Sequence, residues 1–166
     1  MAGTMTNPDQ DARLSWRVRD SLLVYVLGVG GSIEVAESAR ADDGLYTFAF
    51  DERHSDAGIA AYRGSVHLRA HEGLMDVLIV DPWIHLNPQG MQLSIGSSDP
   101  ESRSVLMDLV AAEPVVAGGL TVWRDVGTRL AATGAAAFAF NYPVGAEFAP
   151  LSFSMSQGVA GGPSGA

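Results

Sequence analysis

The strongest constraint on the fold is a series of short segments in which apolar and polar residues alternate. Alternation of this kind is typical of β-strands that bury one face. Turn signals rich in Gly, Pro and Asp separate the segments about every 8–12 residues, which is typical of antiparallel sandwiches and barrels. The sequence therefore predicts a mainly β, antiparallel, sandwich or barrel-like domain. The segments are SIEVAES, LYTFAF, AYRGSVHLRAH, LMDVLIV, WIHL, MQLSI, RSVLMDLV, LTVWRDV, TRLAAT and PLSFSM.

Two segments depart from this pattern and predict two short helices. The stretch SWRVRDSLLVYVLG carries apolar residues at helical spacing, so a helix should follow an N-cap at Ser15 and end at Gly28. Tyr25 would lie in its last turn, on the stripe that faces the core. From the residues alone, a packing role for Tyr25 is the simpler interpretation. The Ala-rich stretch GAAAFAF predicts a second helix over residues 134–140.

The chain of 166 residues has the length of one domain, and it shows neither an internal repeat nor a linker. Residues 1–12 are polar and are expected to be flexible. Residues 157–166 are rich in Gly and are expected to form a disordered tail. The folded domain should therefore span residues 13–156.

Composition and charge exclude several kinds of function. The chain has no Cys and no Lys, which removes thiolate metal sites, Schiff-base chemistry and a phosphate loop of the Walker type. A net charge of −9 without a basic cluster argues against a nucleic acid partner or an anionic membrane. No apolar run approaches the ~20 residues that cross a bilayer, so membrane insertion is not expected. Without a visible signal peptide, the sequence as it stands predicts a cytoplasmic location.

The segment from Tyr62 to His71 gathers two of the four histidines on its polar face. His67 and His71 alternate there with Arg63 and Arg69. On a helix, an H-x-x-x-H pair could chelate zinc, but on a strand the two imidazoles would be about 13 Å apart at ~3.3 Å per residue. The alternation favours the strand, and therefore disfavours a zinc site.

Three blocks of the sequence resemble the HtaA domain family of heme-binding proteins. WRVRDSLLVYV resembles the family's opening W-x-V-K-x-S-F-x-x-Y-V, and GSVHLRAHEGLMDVLIVDPWI resembles its central G-S-V-x-F-x-G-H-x-G-x-L-D-x-x-x-x-D-P. LAATGAAAFAFNYPVGAEFAPLSFSM resembles its ending, L-T-x-x-G-x-x-A-F-x-x-F-Y-x-x-G-x-x-L-x-P-x-x-F. The blocks occur in family order from about Trp16 to Met155, and the central block is the most specific of the three.

The resemblance implies a ligand, a fold and a set of site residues. The family's axial heme ligand is a Tyr of the opening block, which matches Tyr25, and its supporting His matches His71. His67 and Tyr142 match further positions of the central and closing blocks. The implied fold is a β-sandwich-like domain with two short helices. The implied cofactor is ferric heme b, whose propionates would pair with Arg63 or Arg69.

The implied ligand agrees with the chemistry of iron. Ferric iron is a hard Lewis acid, and a tyrosinate oxygen is a suitable axial ligand. A free phenol ionises only near pH ~10, so iron and a hydrogen bond from His would have to favour the ionised form. The expected function is that of a heme carrier, buffer or acquisition module. The alternatives are a heme-dependent enzyme, or a ligand or interaction module that has lost heme.

The resemblance also bears on partners and location. Heme itself is the expected partner, another heme protein could be its donor or acceptor, and homo-oligomer formation is open. Most family members are exported or attached to the cell envelope, which contrasts with the cytoplasmic location that this sequence predicts.

Overall fold

The computed structural model describes residues 12–36, 38–70, 75–88, 90–96, 103–138 and 142–156. Within these ranges the chain forms thirteen strands, two α-helices and a 3-10 turn at Glu52–His54. The helices are α1 (Asp20–Gly28) and α2 (Ala132–Ala137). The strands are β1 (Arg13–Trp16), β2 (Ser32–Ala36), β3 (Arg40–Asp42), β4 (Leu45–Phe50), β5 (Ile59–Arg63), β6 (Ser65–Ala70), β7 (Met75–Val80), β8 (Trp83–His85), β9 (Gln92–Gly96), β10 (Arg103–Leu109), β11 (Val115–Ala117), β12 (Leu120–Leu130) and β13 (Glu147–Ser156).

Eight of these strands close into an antiparallel barrel. Their order is β1-β13-β12-β10-β9-β8-β5-β4, and β4 pairs again with β1, which closes the ring. Strand β3 extends the sheet beside β4, and β11 pairs with β12. A barrel of about eight strands has an interior that side chains can fill. The predicted mainly β, antiparallel fold with two short helices is therefore confirmed.

The largest core side chains carry polar atoms that find partners inside the fold. The indole nitrogen of the fully buried Trp16 donates a hydrogen bond to the carbonyl oxygen of Ala149 at 2.7 Å. The hydroxyl of the fully buried Tyr62 donates to the carbonyl oxygen of Ser154, also at 2.7 Å. These bonds remove the cost of burying an unpaired polar group and connect distant parts of the chain.

Strands β2, β6 and β7 form a second sheet, and the chain passes from the barrel into it at Gly64, between β5 and β6. The sequence predicted one strand across this point, but β5 belongs to the barrel and β6 to the small sheet. Gly64 has a φ of +127°, and a Cβ atom there would lie 2.4 Å from the backbone nitrogen of Ala39. Only glycine fits such a close approach, so the prediction of one continuous strand is wrong.

Helix α1 begins later than the sequence predicted. Ser15 does not cap the helix because it lies in β1, opposite Ser152 of β13 and Thr47 of β4. Val18, with a φ of +62°, breaks the extended chain before the helix begins at Asp20. The end of α1 at Gly28 agrees with the prediction.

Helix α2 overlaps the stretch that the sequence identified and starts two residues before it. Residues 139 and 140 of that stretch lie outside the described residues, as do residues 1–11 and 157–166. Gly134 allows α2 to approach β10, since a Cβ atom there would lie 2.1 Å from the carbonyl oxygen of Leu106. No helix in the described part of the chain is both long and apolar enough to cross a membrane.

Candidate functional site

Helix α1 presents an apolar surface to solvent around Tyr25. Its core-facing side consists of Leu22, Leu23 and Val26, all buried. Tyr25 is 43% exposed, Val24 is 71% exposed and Leu27 is 61% exposed. The expectation that Tyr25 faces the core is therefore wrong. An exposed phenol among exposed aliphatic side chains is the arrangement expected of a surface that receives an apolar ligand.

The described structure brings Tyr25 close to a second predicted site residue, Tyr142. Burial raises the pKa of the Tyr142 phenol above its ordinary value, the Arg19 charge lowers it, and the Tyr25 phenol raises it further. Tyr25 therefore lies within electrostatic range of Tyr142. The two tyrosines come from opposite ends of the domain, one in α1 and the other after α2.

Tyr142 belongs to an aromatic cluster that Arg19 covers. The ring of Tyr142 lies edge-on to Phe138 at 6.0 Å and to Phe148 at 5.2 Å, measured between ring centroids. The guanidinium carbon of Arg19 lies 4.9 Å from the Tyr142 centroid and 5.4 Å from that of Phe148. Arg19 also donates hydrogen bonds to the Ser21 hydroxyl, at 3.1 Å, and to the Glu147 carbonyl. These contacts hold a positive charge next to the exposed surface of α1.

The predicted residues His67 and Arg69 lie on the other face of the small sheet. Val66 and Leu68 of the same strand are fully buried in the core that α1 also contacts, so the alternating residues point away from it. There the Nε2 atom of His67 lies 2.5 Å from a carboxylate oxygen of Asp76, and Nε of Arg69 lies 3.5 Å from the other oxygen. His67 and Arg69 therefore lie on the face of the small sheet that points away from α1 and Tyr25.

The bond to His67 gives Asp76 a measurable signature. The His67 hydrogen bond lowers the pKa of the Asp76 carboxyl below its ordinary value, and the charges of His67 and Arg69 lower it further. We expect the carboxyl 13C resonance of Asp76 to titrate below the usual range and to move back up in a His67→Ala variant. The contact stabilises the folded protein at pH values above the ordinary pKa of Asp, and this stabilisation is lost as the pH falls through the lowered pKa of Asp76. An Asp76 titration identical in the two proteins would contradict this geometry.

His71 lies outside the described residues, and strand β6 ends directly before it, at Ala70. Ala70 is buried, and the Arg69 carbonyl oxygen is 2.3 Å from the place where a Cβ atom of Gly31 would lie. Strand β6 therefore ends against the chain that leaves α1. His67 lies in a strand, which contradicts the helical arrangement that a zinc-chelating H-x-x-x-H pair requires. No cluster of three metal-ligating side chains occurs among the described residues.

The other two histidines have partners on the barrel. Nδ1 of His54 lies 2.6 Å from the carboxylate of the buried Asp51. Nε2 of His85 lies 2.7 Å from the hydroxyl of Ser94, and burial, with a smaller contribution from the Arg103 charge, lowers the pKa of His85. Neither contact includes a residue of the Tyr25 surface.

Sequence reasoning missed Arg19, Phe148 and the exposed aliphatic side chains of α1. One signal was present, because the stretch SLLVYVLG is apolar on nearly every side, more than a helix with one buried face requires. The position of Arg19 over the Tyr142 ring had no such signal, because it depends on a contact between residues more than a hundred positions apart.

Solved structures with the same architecture come from Corynebacterium glutamicum. The C-terminal domain of HtaA is 24% identical with a TM-score of 0.72, and the match covers 88% of this chain and 96% of that one. A domain-swapped dimer of a histidine-to-alanine variant of that domain is 23% identical with a TM-score of 0.64, over 84% and 92%. Heme binding protein HtaB is 18% identical with a TM-score of 0.65, over 88% and 92%. At these identities the likeness shows the fold.

The family assignment follows from a match along the sequence. No curated protein matches this chain significantly. The family model HtaA, described as Htaa, matches residues 11–154, which includes every strand from β1 to β12 and most of β13. The resemblance inferred from three sequence blocks is thus confirmed over nearly the whole domain. The chain belongs to the HtaA family.

Proposed function

We propose that this protein binds heme on the exposed surface of α1, with the phenolic oxygen of Tyr25 as the axial ligand of ferric iron. The observation that carries the proposal is the exposure of Tyr25 among the apolar side chains Val24 and Leu27, in a domain of the HtaA family. A structural relative, HtaB, is itself described as a heme binding protein. Heme needs an apolar surface for its ring and an oxygen, nitrogen or sulfur donor for its iron.

The residues around Tyr25 fit such a ligand. At Gly28, one turn after Tyr25, no atom of the described residues lies within 4 Å of the place where a Cβ would be. Val24 and Leu27 would cover part of the porphyrin, and Tyr142 would contact it from the side of α2. Arg19, fixed above the Tyr142 ring, is a better candidate than Arg69 for pairing with a propionate, since Arg69 contacts Asp76.

The chain's own residues would supply what a heme-binding protein needs. Bound heme would supply the iron, while the chain would supply the phenolate, the apolar surface and a cation for a propionate. We propose that the chain serves as a heme carrier, buffer or acquisition module for ferric heme b, with another heme protein as donor or acceptor. The domain-swapped dimer of a relative supports the related proposal that this chain can self-associate.

A hemin titration of three proteins tests the proposal and the role of each histidine. We expect the wild-type protein to bind hemin near 1:1 with a high-spin ferric spectrum and a tyrosinate charge-transfer band. His71→Ala should weaken retention by ~10–100-fold, because residues that support a metal ligand typically contribute that much. His67→Ala should change it less, because Asp76 holds that imidazole on the opposite face of the small sheet.

The two histidine variants control for each other, since both remove one imidazole from the same segment. A titration in which the wild-type protein gives only the spectrum of free hemin would remove the proposed function. A larger loss in His67→Ala than in His71→Ala would reverse the assignment of the supporting residue.

A further inference from the structure

A cleft on the barrel surface, lined by residues of β1, β12 and β13 and by none of α1 or α2, carries chemistry that heme binding does not use. It lies where β1, β13 and β12 run side by side and has a volume of about 370 Å³. Its polar lining consists of Arg13, Ser15, Arg124, Ser152 and Ser154. We propose that this cleft binds a small oxyanion, a phosphate or carboxylate group, between the two guanidinium groups.

Strand register places the hydroxyl groups between the two arginines. Ser15 of β1 lies opposite Ser152 of β13, and Ser154 of β13 lies opposite Val122 of β12. The middle strand thus contributes two serines, while the strands on either side contribute Arg13 and Arg124. Guanidinium groups and hydroxyls are the donors that bind phosphate and carboxylate oxygens best.

One wall of the cleft is fixed by a buried serine. Ser154 is 7% exposed, and its hydroxyl oxygen accepts a hydrogen bond from the backbone N–H of Arg13 at 3.1 Å. The bond ties the start of β1 to β13 inside the cleft lining. Arg13 is therefore anchored at its backbone while its side chain lines the cleft.

The opposite wall is built by an irregularity in β12. The register between β12 and β13 shifts between Trp123 and Val126, which leaves Arg124 and Asp125 outside the regular ladder. Asp125 has a φ of +51°, and its N–H donates to the hydroxyl oxygen of Ser152 at 3.0 Å. Bulges of this kind change the direction of a side chain, and a left-handed non-glycine residue persists only where its surroundings hold it. Here the bulge sets the position of Arg124 beside the serines.

The concentration of positive charge in the cleft is unusual for this acidic chain. The protein carries a net charge of −9 and has only ten basic residues, yet two of them line one small cleft. In the described part of the chain, Arg124 forms no ion pair with a carboxylate. An exposed guanidinium without a carboxylate partner keeps its donors available for an anion.

Calorimetric titration of the heme-free protein with inorganic phosphate, at constant ionic strength, tests the proposal. We expect saturable binding that weakens about tenfold or more in Arg124→Gln, since a charge-assisted bond is lost. Arg124→Lys should recover part of the affinity, because it keeps the charge and loses the planar fork. Arg129→Gln removes an exposed arginine from the same strand but outside the cleft, and should bind as the wild type does.

A parallel titration with malonate distinguishes the two sources of the oxyanion. Tighter binding of phosphate would identify a phosphorylated ligand, and tighter binding of malonate a carboxylate ligand. No saturable heat with either anion, or an equal loss in Arg124→Gln and Arg129→Gln, would overturn the proposal. Because hemin is absent throughout, the result is independent of the Tyr25 site.

Discussion

Tyr25→Phe should lose hemin affinity by about 100-fold or more and should lose the tyrosinate charge-transfer band entirely, while its thermal unfolding curve stays close to that of the wild type. The substitution deletes the oxygen that would bond iron and keeps the ring. A hydroxyl on a side chain that is 43% exposed contributes little to stability, and volume-conserving changes usually cost below ~1.5 kcal/mol. Absorption spectra across a hemin titration, with a melting curve of each protein, measure both effects.

Two other tyrosines serve as matched controls. Tyr62→Phe removes the buried hydroxyl that donates to Ser154, so it should reduce stability by about 1–3 kcal/mol and leave the hemin spectrum unchanged. Tyr142→Phe should weaken binding moderately, because the ring and its contacts with Phe138 and Phe148 remain. A Tyr25→Phe protein with the wild-type spectrum would show that another residue holds the iron.

Gly64→Val should be among the most destabilising single substitutions in the domain. It would place a β-branched side chain at a φ of +127°, with its Cβ 2.4 Å from the backbone nitrogen of Ala39. We expect a loss of about 3–5 kcal/mol in the free energy of unfolding, because backbone strain and a steric clash with main-chain atoms add together. Urea unfolding followed by circular dichroism measures this loss, and the melting temperature should fall by about 6–20 °C.

Gly118→Ala separates the clash from the backbone strain. Gly118 also has a positive φ, of 59°, but a Cβ there would meet no atom of the described residues within 4 Å. Gly118→Ala should lower the free energy of unfolding by about 1–2 kcal/mol, which is the cost of the left-handed conformation alone. Equal losses in the two variants would mean that the contact with Ala39 does not constrain the junction between the barrel and the small sheet.

The alternation of apolar and polar residues was enough to predict most strands and the antiparallel class. It was not enough to divide them between two sheets. Around Gly64 the alternation continues without interruption, so the segment reads as one strand, although Val66 and Leu68 belong to a different sheet from Tyr62. The division depends on the approach of Ala39, which alternation does not encode.

The candidate site shows the same limit. Family resemblance selected Tyr25 and Tyr142, and in the structure these two lie within electrostatic range of each other. The predicted start of α1 was too early, because Ser15 has a side chain typical of a helix N-cap. In the structure Ser15 belongs to β1 and lies opposite Thr47 of β4 and Ser152 of β13. Helical spacing also assigned Tyr25 to the buried stripe. The helix carries its own apolar residues on nearly every side, so periodicity alone could not identify the side that is exposed.

The closure of the barrel determines the order in which its strands can pair while the chain is synthesised. Strand β1 can pair with β4 as soon as β4 has left the ribosome, but its other neighbour is β13, which ends at Ser156. Until β13 inserts between β1 and β12, both of those strands expose unpaired backbone groups to other chains. Contacts across such long separations form slowly, because the intervening chain must first be ordered. The emergence of β13, rather than the pairing of neighbouring strands, should therefore set the moment when this domain becomes resistant to proteases and to aggregation.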